Sequence, residues 1–474
     1  MVFHRSFQFM VYDVKSLFCF HHTILQFLHS QTIITFKMKR IAIIGAGISG
    51  LSAAQLLSEY RNDPKSSKRD FEITIYEKEA KTGGLIRCER INGSLFHTCG
   101  GHVFNTRNQE VNDWFWRHFD KDEEFLKTDR NSVIFLPNEQ HIPYPIENFI
   151  YLLDNQIQKD IIHDLLSLRD SHCIPADNFQ DFLKSMFGDT LYQLYFKPYN
   201  TKVWRRSLHD MPIDWLSGKL PMSSVEEIIY NNFNRVAEKQ FVHSTFYYER
   251  QNGSQLIADR LSEGLNVIYN TCIEQMKRSG DKWEIDGISY DIVIFCGNIK
   301  DLPGILQDES CIDSYSEDIN ALQYHGTTAT FCEIDSNPYS WIYLPSTRYQ
   351  AHRIICTGNF SRTNNSLALL SQNKETTDIN NRITATIEFT DIISKTDIVE
   401  NLKEIPLHPK YITHKYNQYT YPIQSKGTRE MIGALKQQLA SKSFYLTGRF
   451  ADWEYYNMDA AIAAGMKTIK SVLA

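Results

Sequence analysis

The segment Gly45-Ala46-Gly47-Ile48-Ser49-Gly50 constrains this chain more than any other feature. Residues 40–44 before it form a short apolar run with β-branched side chains, the pattern of a strand buried on both faces. Helical sequence with Leu51, Ala54, Leu56 and Leu57 follows without a breaker. Between strand and helix, Gly45 permits a tight turn, Gly47 lets the backbone approach a pyrophosphate, and Gly50 lets helix and strand pack closely. The helix N-terminus, entered through Ile48 and Ser49, favours the negative charge. The next strand, residues 71–76, runs into Glu77 and Lys78, with the acid placed to hydrogen-bond the ribose hydroxyls of a dinucleotide. The polar stretch 61–69 is an expected surface loop.

A chain of 474 residues accommodates two or three domains around such a ligand. The net charge of -6 gives no electrostatic reason to expect nucleic acid, so an anionic ligand needs a local basic site. Nine cysteines without a C-x-x-C pair fit a reducing cytoplasm and argue against a structural metal. No run approaches the roughly 20 apolar residues of a membrane span; residues 18–28 are broken by His21, His22 and Gln26. Residues 1–37, rich in Phe and His and without period, are expected to form a non-domain extension, with Met38 read as a second start.

Further along, residues 290–296 form another buried-type strand ending in Gly297-Asn298, and residues 444–446, Gly448-Arg449 and 458–472 form a closing strand, turn and helix. Spacing of Phe179, Phe182, Leu183, Met186 and Phe187 predicts a helix core. Residues 329–334, 341–344 and 353–357 predict an antiparallel sheet. The expected organisation is a first dinucleotide-binding segment at 38–105 and a mainly helical substrate region at 106–240 with a short strand segment near 130–145. A second binding segment at 241–310, an antiparallel sheet at 311–430 and the closing segment at 431–474 complete it.

The stretch from Glu77 to Arg87, with Gly83-Gly84-Leu85, resembles the segment that flavin-dependent amine oxidases, protoporphyrinogen oxidases and UDP-galactopyranose mutases place against FAD. Five further segments resemble the mutases in particular, especially their eukaryotic-type members. They are Gly100-Gly101-His102-Val103-Phe104, Ile142-Pro143-Tyr144-Pro145, Lys197-Pro198-Tyr199-Asn200-Thr201-Lys202-Val203-Trp204, His352-Arg353 with Asn359-Phe360-Ser361, and the closing run from Gly448 to Asp459. The resemblance implies an α/β fold: an FAD-binding Rossmann-like domain with a helical insertion and an antiparallel β-sheet substrate domain.

It also implies a cytoplasmic isomerase of cell-surface polysaccharide biosynthesis. Such an enzyme interconverts UDP-galactopyranose and UDP-galactofuranose, or a related UDP-sugar, through a reduced-flavin N5-glycosyl adduct without net redox change. NAD(P)H or another reductant would keep the FAD reduced. By the same carry-over, Arg353 and Arg449 hold the diphosphate, Tyr421 and Tyr455 add hydroxyl donors, and His102 sits near the isoalloxazine. Tyr144, Glu147, Tyr199, Asn200, Trp204, Lys219 and Tyr456 form the substrate pocket. Gly84, Leu85, Arg87, Gly101, Gly448, Asn457 and Met458 join the first glycines, Glu77 and Lys78 at the cofactor, and no metal is implied.

Three positions depart from the family pattern: Glu147 replaces a glutamine near the uracil, Lys219 an arginine, and Asn252-Gly253 a glycine pair. Two other functions stay open, an FAD-dependent oxidase or desaturase and a flavoprotein scaffold without catalysis.

Overall fold

A computed structural model describes residues 38–66, 70–170, 176–213, 216, 223–236, 244–306, 309–372 and 381–473. Five strands distant in sequence form one parallel sheet, in the order Phe444–Leu446, Ile292–Phe295, Lys39–Ile44, Phe71–Tyr76, Val267–Ile268. Its central strands carry Ile41, Ile43, Val293 and Ile294, which fit a sheet covered on both faces. On one face, the helix Ile48–Asn62 packs Leu51, Ala54 and Leu57 against Ile462, Met466 and Ile469 of the closing helix Met458–Leu473. On the other lie the meander Lys277–Ser279, Lys282–Ile285 and Ile288–Tyr290 and the helix Thr428–Ala440, with Trp283 and Leu435 fully buried. The first helix continues through Arg61 and Asn62, so the loop expected from residue 61 starts only at Asp63; its residues 67–69 lie outside the described residues.

A second sheet of seven strands is ordered Lys410–Pro422, Tyr324–Asp335, Arg382–Thr390, Arg353–Ile355, Trp341–Tyr343, Ser132–Phe135, His141–Pro143. All its neighbours are antiparallel except Trp341–Tyr343 with Ser132–Phe135. The strand segment near 130–145 therefore belongs to this sheet and not to the helical region. Its run Ser132-Val-Ile-Phe135 is buried at every position, so its backbone needs a ladder partner that helices cannot supply.

The helical insertion comprises Asn155–Asp170, Phe179–Leu191, Lys197–Trp204 and Val225–Phe233. Phe179, Leu183 and Phe187 are buried in its core, with Phe182 and Met186 packed against them. Asn178 starts the helix by accepting the Asp181 N–H, and Ser224 with Glu227 forms a capping box before Val225–Phe233. Lys219 and residues 1–37 lie outside the described residues. Among the described residues no helix is long and apolar enough to cross a membrane.

Candidate active site

A cleft runs along the carboxyl ends of the parallel strands, where open α/β sheets bind ligands. Gly45 has φ +101°, and a Cβ at Gly50 would stand 2.0 Å from the Gly45 carbonyl oxygen. The Glu77 carboxylate is buried and accepts the Ala46 N–H at 2.7 Å and the Glu79 N–H at 3.0 Å. Gly83 and Gly84, both at positive φ, bring their backbone onto Gly47. Ile48, Ser49, Lys78, Leu85, Arg87, Asn457 and Met458 also line the cleft, the last two at the N-terminus of the closing helix. Two expected cofactor contacts fall elsewhere. Gly448 lines no part of the cleft, because at φ +115° it packs on Ser49, where a Cβ would lie 2.9 Å from the hydroxyl. Gly101 lines the adjoining pocket instead.

That pocket brings together His102, Arg353, Arg449, Tyr421 and Tyr455 from four separated stretches of sequence. It shares His102, Arg449 and Asn457 with the cleft, so these three form a common wall. Arg353 donates through Nε to Glu388 Oε2 and through Nη2 to the Tyr421 hydroxyl at 3.4 Å. Arg449 donates Nε to the Tyr456 carbonyl at 2.9 Å and Nη1 to that of Thr420 at 3.1 Å, and lies 4.7 Å over the Tyr455 ring. A guanidinium has five N–H donors, so each arginine is fixed in place with donors to spare.

Glu388 is the residue that sequence reasoning missed. It is 1% exposed, and its Oε1 accepts the Gly100 N–H at 2.9 Å while Oε2 binds Arg353. Burial raises its pKa, but Arg353 and His352 outweigh burial and hold it well below the usual carboxylate range. The signal was available: it is the one acid in Arg382–Thr390, a strand otherwise of Ile, Thr, Ala and Phe after its first residue and buried throughout. An unpartnered acid does not survive in such a strand. One carboxylate faces two arginines here, leaving net positive charge. His102 adds none near neutrality, since burial and then Arg449 lower its pKa to about 3, and its Nε2 is buried without a partner.

The other expected pocket residues form an aromatic region behind this centre. Trp204 meets Tyr421 edge-on at 5.8 Å, and Tyr199 meets Tyr343 at 5.5 Å, which in turn contacts Tyr144 at 4.9 Å. Asn200 turns its amide back to the Phe196 carbonyl at 2.8 Å, after the π-helical turn Tyr192–Phe196. Glu147 is 1% exposed with Oε1 unpartnered, and burial pushes its pKa up to about 7. Tyr456 lines the dinucleotide cleft and not the second pocket.

Residues 43–119 match the NAD(P)-binding Rossmann-like domain family. Over 467 residues, 94% of this chain and 97% of the relative, the sequence is 22% identical to UDP-galactopyranose mutase of Mycoplasma genitalium. The chain resembles the UDP-galactopyranose mutases. A match to the Mycoplasma pneumoniae UDP-galactopyranose mutase is 24% identical over 40% of this chain and spans about half that relative's length, 46%. A solved structure of reduced UDP-galactopyranose mutase superimposes with a TM-score of 0.78 at 20% identity, covering 92% of this chain and 95% of that one. At that identity the superposition shows the shared fold.

Proposed function

We propose that this chain is a flavin-dependent nucleotide-sugar mutase that takes a UDP-hexose such as UDP-galactopyranose and exchanges its ring size. The observation that carries the reading is the common wall: across His102, Arg449 and Asn457 a dinucleotide cleft adjoins a pocket with two arginines and two tyrosines. The residues fit FAD. Gly83 and Gly84, at positive φ and with no room for a Cβ, lay bare backbone against Gly47, Glu77 sits where ribose hydroxyls need an acceptor, and the closing helix offers its N-terminus. Reduced FAD in this cleft would supply a nucleophilic N5 for the anomeric carbon, a reaction with no net oxidation.

The chain's own residues bind and orient. Arg353 and Arg449 would clamp the diphosphate, a task suited to the guanidinium fork. Burial keeps Tyr421 neutral by raising its pKa well above the ordinary value, so it can donate its hydroxyl proton there, with Tyr455 beside it. Tyr144, Glu147, Tyr199, Asn200 and Trp204 would receive the nucleotide and sugar. Neutral His102 offers an uncharged ring at the boundary with the flavin.

The test is incubation of chemically reduced protein with a panel of UDP-sugars, followed by chromatography for ring isomers. Reduced protein is expected to convert a UDP-hexopyranose, and oxidised protein to convert none. Stoichiometric oxygen consumption with substrate would move an oxidase to first place, and reduced protein that neither binds UDP nor converts any UDP-hexose would overturn the proposal.

A further inference from the structure

Lys202 lies within the helix Lys197–Trp204, between the aromatic positions Tyr199 and Trp204, yet its side chain leaves the helical insertion. Its Nζ donates to the carbonyls of Leu344 at 2.8 Å and Ala351 at 2.9 Å, and it sits 4.8 Å over the Tyr349 ring. Those two carbonyls stand at the base of the hairpin that joins Trp341–Tyr343 to Arg353–Ile355, a base closed by the Leu344 N–H to the His352 carbonyl at 2.9 Å. Tyr343 directly precedes Leu344, and Arg353 follows Ala351 by two residues. The backbone of Lys202 is gripped as well, its carbonyl accepting the Thr390 hydroxyl at 2.9 Å from the strand that holds Glu388.

Placing an ammonium among carbonyls, with no carboxylate partner among the described residues, is costly, and burial lowers its pKa to about 7. A methylene side chain would fill the space without that cost. The ammonium does what an apolar chain cannot: it fixes one point on the helix against both limbs of the hairpin.

We infer that Lys202 is a positioning residue that holds Tyr199 and Trp204 in place relative to Tyr343 and Arg353 by tying their helix to that hairpin. This rests on the mutase reading for its consequence in catalysis, but the tie itself is a property of the fold. Lys202 touches neither pocket, so its loss acts through the residues on either side.

Lys202→Met and Lys202→Arg holoproteins separate the possibilities. Hydrogen exchange tests the tie directly: Lys202→Met is expected to speed exchange in residues 341–356 and 197–204 while the five-stranded sheet is unchanged. Unaltered exchange in those two segments overturns the inference, whether or not any sugar is bound. For the consequence, UDP affinity of reduced Lys202→Met should fall at least tenfold and KM rise with kcat changed less, with flavin content and spectrum retained. Lys202→Arg, which keeps the charge, should recover part of that loss. A Lys202→Met protein that melts earlier but binds UDP as the wild type does assigns Lys202 to stability alone and overturns the inference. Wild type that binds no UDP refutes the mutase reading, and the exchange result then still decides the tie.

Discussion

At the scale of single residues, the centre is an arrangement of charges that constrain one another. Glu388 holds Arg353 through one oxygen and the glycine loop at Gly100 through the other, so the arginine and the loop that carries His102 share a support. Arg353→Ala and Arg449→Ala are each expected to cripple UDP-sugar turnover while FAD stays bound. Loss of a charge-assisted contact costs about 1.5 to 3 kcal/mol, roughly tenfold to a hundredfold in kcat/KM, measured against flavin content. Glu147 gives a pH signature of its own. Its folded pKa of about 7 lies above the ordinary 4.5, so its ionisation adds no cost below pH 4.5, a progressively larger one between 4.5 and 7, and its full cost above 7. Glu147→Gln should therefore stabilise the protein by on the order of 3 kcal/mol at pH 8 and little near pH 4.5, read from denaturant melts at the two pH values.

At the scale of elements, the glycine turn and the closing helix decide whether the cleft exists. Gly50→Ala puts a methyl group 2.0 Å from the Gly45 carbonyl oxygen, backbone that has no room to yield. The variant is expected to lose bound flavin, seen as a fallen flavin-to-protein absorbance ratio, whereas Gly433→Ala, with nothing within 4 Å of the new Cβ, should keep it. The glycine motif, the strand Phe71–Tyr76 and the closing strand Phe444–Leu446 were legible because each is a local pattern of period and breaker. The strand segment near 130–145 was visible as such, but not that it supplies Ser132–Phe135 and the edge strand His141–Pro143 to the seven-stranded sheet, because strand partners are chosen by long-range hydrogen bonding.

At the scale of the whole molecule, the dinucleotide cleft is assembled from the start, middle and end of the described chain, so a ligand there joins segments that would otherwise close a long loop. Purified protein is expected to be yellow, with non-covalent FAD released intact on denaturation. Stripping FAD should lower the melting temperature in a manner reversed by added FAD, since saturation at 100 times Kd contributes about 2.7 kcal/mol. A melting temperature indifferent to FAD would contradict the cleft as its site.

The sequence by itself determined the dinucleotide turn, the acid after the second strand and the helical stripe, because glycines and periodicity act over a few residues, whereas the arginine and tyrosine set followed from the resemblance to the mutases. Tertiary structure alone decided that Glu388 pairs with Arg353, that Gly101 faces the second pocket while Gly448 packs on Ser49, and that Lys202 reaches across to the hairpin of Leu344 and Ala351. Those contacts join residues tens to hundreds of positions apart, and each buried charge among them is tolerated only where the folded chain brings it a partner.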